Sequence, residues 1–114
     1  MTSIAPTPDP PYVAVIFTSL RTPFDGGYAQ TAAAMDRLAA AQDGYLGHES
    51  AREGIGITVS YWRDESAALA WKDVAVHLAA QHKGRDSWYS DYTTRIAVVH
   101  RAYTKASSPL VESP

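Results

Sequence analysis

The residues best suited to chemistry are gathered in one stretch: Tyr61, Trp62 and Arg63, then Trp71, His77, His82, Arg85 and Trp88. Rings of this kind stack on a flat organic molecule, while a few imidazole and guanidinium groups fix its orientation. His48, in an earlier segment, adds a candidate base. With an unperturbed pKa of about 6.5, an imidazole takes a proton from a phenol near neutral pH. Arg85, next to Trp88-Tyr89, is suited to an acidic or enolate oxygen. Each residue also has a plain structural reading. A tryptophan on an apolar helical face packs a core, a histidine near a helix C-terminus meets the helix dipole, and Arg85-Asp86 forms an exposed ion pair of little energetic consequence. Both sets of readings stand at this level.

Other chemistries lack their patterns. Gly54-Ile55-Gly56 is without the rest of a dinucleotide fingerprint, Gly26-Gly27 is without the lysine of a phosphate loop, and no serine has nucleophile-elbow glycines. The four histidines, His48, His77, His82 and His100, are scattered. His77 and His82 lack the one-turn spacing that puts two imidazoles on one helical face, so no metal is expected. Without cysteine there are no disulfides or thiolate sites, which is compatible with a reducing compartment.

The positioning elements follow from composition and period. A chain of 114 residues, 46% hydrophobic and 19% charged, makes one compact domain with a modest core. A net charge of -2 without basic runs gives no footprint for nucleic acid or an anionic membrane surface. No stretch has the length of a membrane span, and Met1 to Pro11 has no basic, apolar leader. A cytoplasmic protein is expected. Residues 1–11, with four prolines, read as a disordered or extended segment, 12–105 as the folded unit, and 106–114 as a disordered tail.

Within the folded unit, Tyr12–Ser19 reads as a strand and Tyr28–Gln42 as a helix ended by Asp43-Gly44. Tyr45–Arg52 and Ile55–Trp62 form a hairpin about Gly54, with His48 between Leu46 and Ser50 on one face. Asp64 or Glu65 opens a helix to Lys83, with a break expected near Lys72-Asp73, and Tyr92–Tyr103 is the last strand. If that helix is continuous, Trp71, Val74, Ala75, Leu78 and His82 share one face and His77 lies off it. The βαββαβ order predicts an α+β ferredoxin-like fold, a four-stranded antiparallel sheet with helices on one face. The first and last strands are apolar on both faces, so the face without helices needs a cover. A second copy packed sheet to sheet, forming a homodimer, is the main expectation, and the proline-rich termini are the alternative.

This chain resembles the antibiotic biosynthesis monooxygenase (ABM) family of dimeric α+β barrel proteins. The resemblance spans Tyr12 to Tyr103 and rests on the first strand, Met35 with Gln42-Asp43-Gly44-Tyr45-Leu46-Gly47, Ile57 to Trp62, and Trp71-Lys72 with His77 and His82. It implies a cavity between sheet and helices that takes a small aromatic ligand, and oxidation of polycyclic aromatic, quinol-like molecules by dioxygen without metal or flavin. Other relatives bind and degrade haem. By that resemblance Trp71 matches the tryptophan of both branches and His82 falls near the haem-ligand position. The asparagines do not match, because Ser19 stands in the first strand and Ala67 one turn before Trp71. His82, His48 and Trp71 are therefore the candidate catalytic residues, and Tyr61, Trp62, Arg85 and Trp88 the candidate substrate-binding ones.

Overall fold

The computed structural model of the chain describes residues 3–81 and 85–107, with the backbone alone at 79–81 and 85–86. Its elements run β1 (Tyr12–Arg21), α1 (Tyr28–Ala40), β2 (Tyr45–Glu53), β3 (Ile55–Trp62), α2 (Glu65–Gln81), the single turn α3 (Arg85–Trp88) and β4 (Tyr89–Val99). The strands form one antiparallel sheet in the order β2-β3-β1-β4. This is the expected ferredoxin-like α+β fold.

Both ends of β4 differ from the sequence reading, and pairing explains them. β4 follows β1 along its whole length, from Arg21↔Tyr89 to Tyr12↔Val99, so it begins at Tyr89 rather than Tyr92 and ends where its partner does. α2 is unbroken at Lys72-Asp73. Asp64 caps it: its carboxylate accepts from the Ala67 amide at 2.8 Å, while its carbonyl accepts from Ala68 at 3.2 Å.

Register assigns the sheet faces. Val13 and Val15 of β1 and Trp62 of β3 point toward the helices, where they pack with Ala39 of α1 and with Ala67, Ala68 and Trp71 of α2. On the opposite, outer face Tyr12 meets Tyr61 edge to face at 5.8 Å. The N-terminal segment lies across this end of the outer face. The Ala5 amide donates to Glu49 Oε2 at 2.8 Å, Thr7 Oγ1 donates to the Tyr12 hydroxyl at 3.1 Å, and Ala5 sits so close to Gly47 that a β-carbon there would be 3.0 Å from its methyl. The alternative cover therefore holds for part of the face, over the buried Tyr12. Toward the other end Leu20, Ile55 and Ile57 remain 42%, 52% and 44% exposed. Among the described residues no helix is long and apolar enough to cross a membrane.

Candidate functional site

The two tryptophans singled out from the sequence meet, but in the core. Trp62 is fully buried, its ring stacks on Trp71 at 5.8 Å and 20°, and its indole N–H donates to Ser60 Oγ at 2.9 Å. Trp71 is 9% exposed, so little of its ring is open to a ligand. Ala67, one turn earlier, faces Gly44. A β-carbon on Gly44 would lie 2.6 Å from that of Ala67. The position at which the resemblance expects an asparagine is thus filled by a helix-to-turn contact with no spare volume. Asp43, beside Gly44, takes a two-pronged bond from Arg63 at 3.2 and 3.0 Å, and the guanidinium holds its carboxyl below the usual range.

His48 also has structural company. A bulge between Tyr45 and Gly47 shifts the alternation of β2, so His48 shares the helix-side face with Tyr45, not with Leu46 as simple alternation predicts. The Tyr45 hydroxyl is 2.6 Å from His48 Nδ1, and His48 Nε2 is 3.9 Å from Asp36 Oδ1 of α1. Burial, and then the charge of Asp36, raise the Tyr45 pKa, so the phenol keeps its proton, and it donates to Nδ1 in the tautomer that leaves Nδ1 bare. In that tautomer the imidazole proton is on Nε2, on the side of Asp36. In this arrangement His48 accepts a substrate proton only after Tyr45 lets go of Nδ1.

The other sequence candidates are spread out. Tyr61 lies on the outer face and donates to Glu49 Oε1 at 2.7 Å; burial first, then that bond, push its pKa up to about 12. Trp88 is 4% exposed, and its indole N–H donates to the Gly26 carbonyl at 2.8 Å. Its own carbonyl accepts from the Thr22 amide at 2.8 Å, so it fastens the end of β1 to the start of β4. His77 lines an open groove of about 430 Å³ between α1 and α2, with Leu38, Asp73, Val74 and Leu78. His82 lies outside the described residues, as does the side chain of Arg85.

A grouping that sequence reasoning missed lies on the helix-side face where β1 ends. Phe17 packs against Tyr89 and Tyr92 at 5.4 and 5.5 Å, and Tyr28, at the head of α1, packs against Tyr89 at 6.1 Å. The Tyr89 hydroxyl is bonded to Tyr28, and burial in this ring cluster, then that bond, raise its pKa. Arg21 stacks 3.4 Å above Tyr28 and is tied to Asp25 at 2.7 Å and to the Trp88 carbonyl at 3.1 Å. Arg52 reaches across β3 to Ser19, donating to Oγ at 2.6 Å and to the carbonyl at 3.3 Å. Ser19 is 2% exposed. The crossing exists because Gly56 faces Arg52 in the hairpin: a β-carbon on Gly56 would collide with the guanidinium. A signal for this was available, since counting back from the Gly54 turn pairs Arg52 with Gly56.

These groups bear on haem as well. Ser19 is engaged by Arg52, Trp71 is closed against Trp62, and both ring nitrogens of His48 face partners. The position that the resemblance gives to a haem ligand, His82, lies outside the described residues. Among the described residues no three metal-ligating side chains converge.

A ferredoxin-like α+β sheet with a polar and aromatic helix-side face defines the class, and comparison with known proteins narrows it. The profile of the antibiotic biosynthesis monooxygenase family matches residues 11–83, and the chain belongs to that family. The uncharacterised protein YqjZ of Bacillus subtilis is 50% identical over 103 residues, covering 89% of this chain and 90% of that protein. A jasmonate monooxygenase of Pyricularia oryzae is 42% identical over 48 residues, which cover 42% of this chain and 22% of that protein. Among solved structures, SO0527 from Shewanella oneidensis superposes with a TM-score of 0.66 at 10% identity, over 81% of this chain and 94% of that one. A single-site mutant of SnoaB, a cofactor-independent oxygenase from Streptomyces nogalater, gives a TM-score of 0.60 at 14% identity, over 82% of this chain and 96% of that one. At such identities the structural likeness speaks for the fold.

Proposed function

We propose that the protein is a monooxygenase that oxidises a hydrophobic aromatic, quinol-like molecule with dioxygen, without metal or flavin. The observation that carries this reading is the ring-lined end of the helix-side face, formed by Phe17, Tyr28, Tyr89 and Tyr92, in a chain of the monooxygenase family. Rings at mutual distances of 5.4 to 6.1 Å form a surface onto which a flat substrate stacks.

In the proposed reaction a histidine, His82 or His48, takes a proton from an acidic C–H or O–H of the substrate. The resulting anion passes one electron to dioxygen, and the radical pair couples into a carbon–oxygen bond. The peroxide then takes up the proton and loses water, which leaves a carbonyl: one oxygen atom ends in the product and one in water, with no external reductant. Arg85 supplies positive charge near the developing anion. For His48 the chemistry includes release of Nδ1 by Tyr45. The protein is further proposed to work as a homodimer, a second copy covering Leu20, Ile55 and Ile57 on the outer face.

One observation favours a second reading, a non-catalytic module that binds a small molecule. Ala67 packs on Gly44 and Ser19 is held by Arg52, so the two positions where the resemblance places asparagines serve packing and positioning. The deciding experiment is oxygen consumption by purified, metal-free protein against anthrone-like and naphthol-like substrates. Uptake that disappears in a His48→Ala/His82→Ala double variant is the expected result; unchanged turnover in that variant refutes the mechanism, and no uptake across the panel leaves the binding module.

A further inference from the structure

We infer that Arg52, seated over Gly56 and held by Ser19, is an anion-recognition residue that selects aromatic ligands bearing a carboxylate or a comparably acidic oxygen. The inference rests on the helix-side face being the ligand side.

Arg21 pairs with Asp25 and stacks on Tyr28, and Arg63 pairs with Asp43 and Asp64. Arg52, like Arg37, Arg95 and Arg101, has no carboxylate within ion-pair distance among the described residues, although Glu49 and Glu53 lie on the same strand, and of these four it alone has its guanidinium hydrogen-bonded. Glu49 and Glu53 point to the outer face, and Arg52 to the helix side. Its partners are neutral, the hydroxyl and carbonyl of Ser19.

A surface arginine that merely solubilises the chain swings freely in water. This one is fixed at both ends of its reach. Gly56 removes the β-carbon that would block it, and Ser19, almost fully buried, orients the fork. Two of five N–H donors are committed, so the rest of the fork is free for a bidentate acceptor. Ser19, to which the guanidinium is bonded, pairs with Tyr92 across β1 and β4, and Tyr92 packs on Phe17 at 5.5 Å, which places the guanidinium beside the ring cluster. A rigid, uncompensated cation next to stacked rings matches a flat molecule with an anionic substituent.

The test compares 1-hydroxy-2-naphthoate with its methyl ester by titration calorimetry on the full chain and on Arg52→Gln, Gly56→Ala and Arg85→Gln variants. The native protein should bind the acid about 10-fold more tightly than the ester, as a charge-assisted pair provides. Arg52→Gln should abolish that preference and leave ester affinity within about twofold, and raising salt from about 50 to about 500 mM should weaken the acid alone. Gly56→Ala should act like Arg52→Gln. If it does not fold, the exposed Arg52→Gln variant still decides. A preference that survives Arg52→Gln, or is lost instead in Arg85→Gln, overturns the inference, and so does failure of both probes to bind. Binding in the expected pattern without oxygen uptake would refute the oxygenase reading while the anion site stands. Oxygen uptake with equal binding of acid and ester would do the reverse.

Discussion

Replacing Gly44 by alanine tests the packing that sets α2, and with it Trp71, on the sheet. Gly44 has φ 86°, a region in which an L side chain costs about 1 kcal/mol relative to glycine. The added methyl would also lie 2.6 Å from the Ala67 β-carbon, about 1 Å inside the usual carbon contact of 3.5 Å or more. Ala67 cannot simply yield, because its amide is bonded to the Asp64 cap. Overpacking of this kind costs roughly 1–3 kcal/mol, so the total is about 2–4 kcal/mol. Gly54→Ala is the control: φ is 79° there too, but nothing lies within 4 Å of the added methyl, which leaves only the backbone cost of about 1 kcal/mol. In urea unfolding at one protein concentration, with a slope of roughly 1–2 kcal/mol per molar, Gly44→Ala should lower the midpoint by at least about 1 M. Gly54→Ala should lower it by about half that or less. Equal midpoints for the two variants would refute the close contact between Gly44 and α2.

Trp71→Ala should cost roughly 3–5 kcal/mol in urea unfolding, because it empties the space beside Trp62, whereas Trp71→Phe should retain most of the stability. Burial, and then the bond to Glu49, push the Tyr61 pKa up to about 12 from the unperturbed 10.0. Because the folded pKa is the higher one, its stabilising contribution is complete below about pH 10 and is lost as pH rises toward 12. Tyr61→Phe should flatten the stability profile over that window and remove one late-titrating phenol from the absorbance at about 295 nm, the tyrosinate band. Ile57→Glu, on the open part of the outer face, should convert the proposed dimer into monomers in sedimentation velocity and leave helix content unchanged; an unaltered sedimentation coefficient would refute that interface.

Much of the fold was legible because it depends on local periods. The 3.6-residue repeat put Trp71, Val74, Ala75 and Leu78 on the buried side of α2 and left His77 outside, as found. Gly54 marked the hairpin, and strict alternation put Tyr61 and Trp62 on opposite faces. The candidate site was less legible, since rings and imidazoles look alike whether they pack a core or meet a ligand. Trp62, Trp71 and Trp88 are buried, and His48 lies between Tyr45 and Asp36, contacts that no local pattern of the sequence records.

The amino-acid order by itself determined the sequence of elements, the faces of the helices and the pairing of the β2–β3 hairpin, because periodicity and turn chemistry act over a few residues. Only the tertiary structure decided which sheet face the helices cover, that a bulge turns His48 toward Tyr45, that the N-terminal segment closes on Glu49, and that Arg52 crosses Gly56 to Ser19. Those outcomes join residues on different strands and at distant points of the chain. Their partners are chosen by burial and hydrogen-bond satisfaction once the sheet has formed, which no local pattern records.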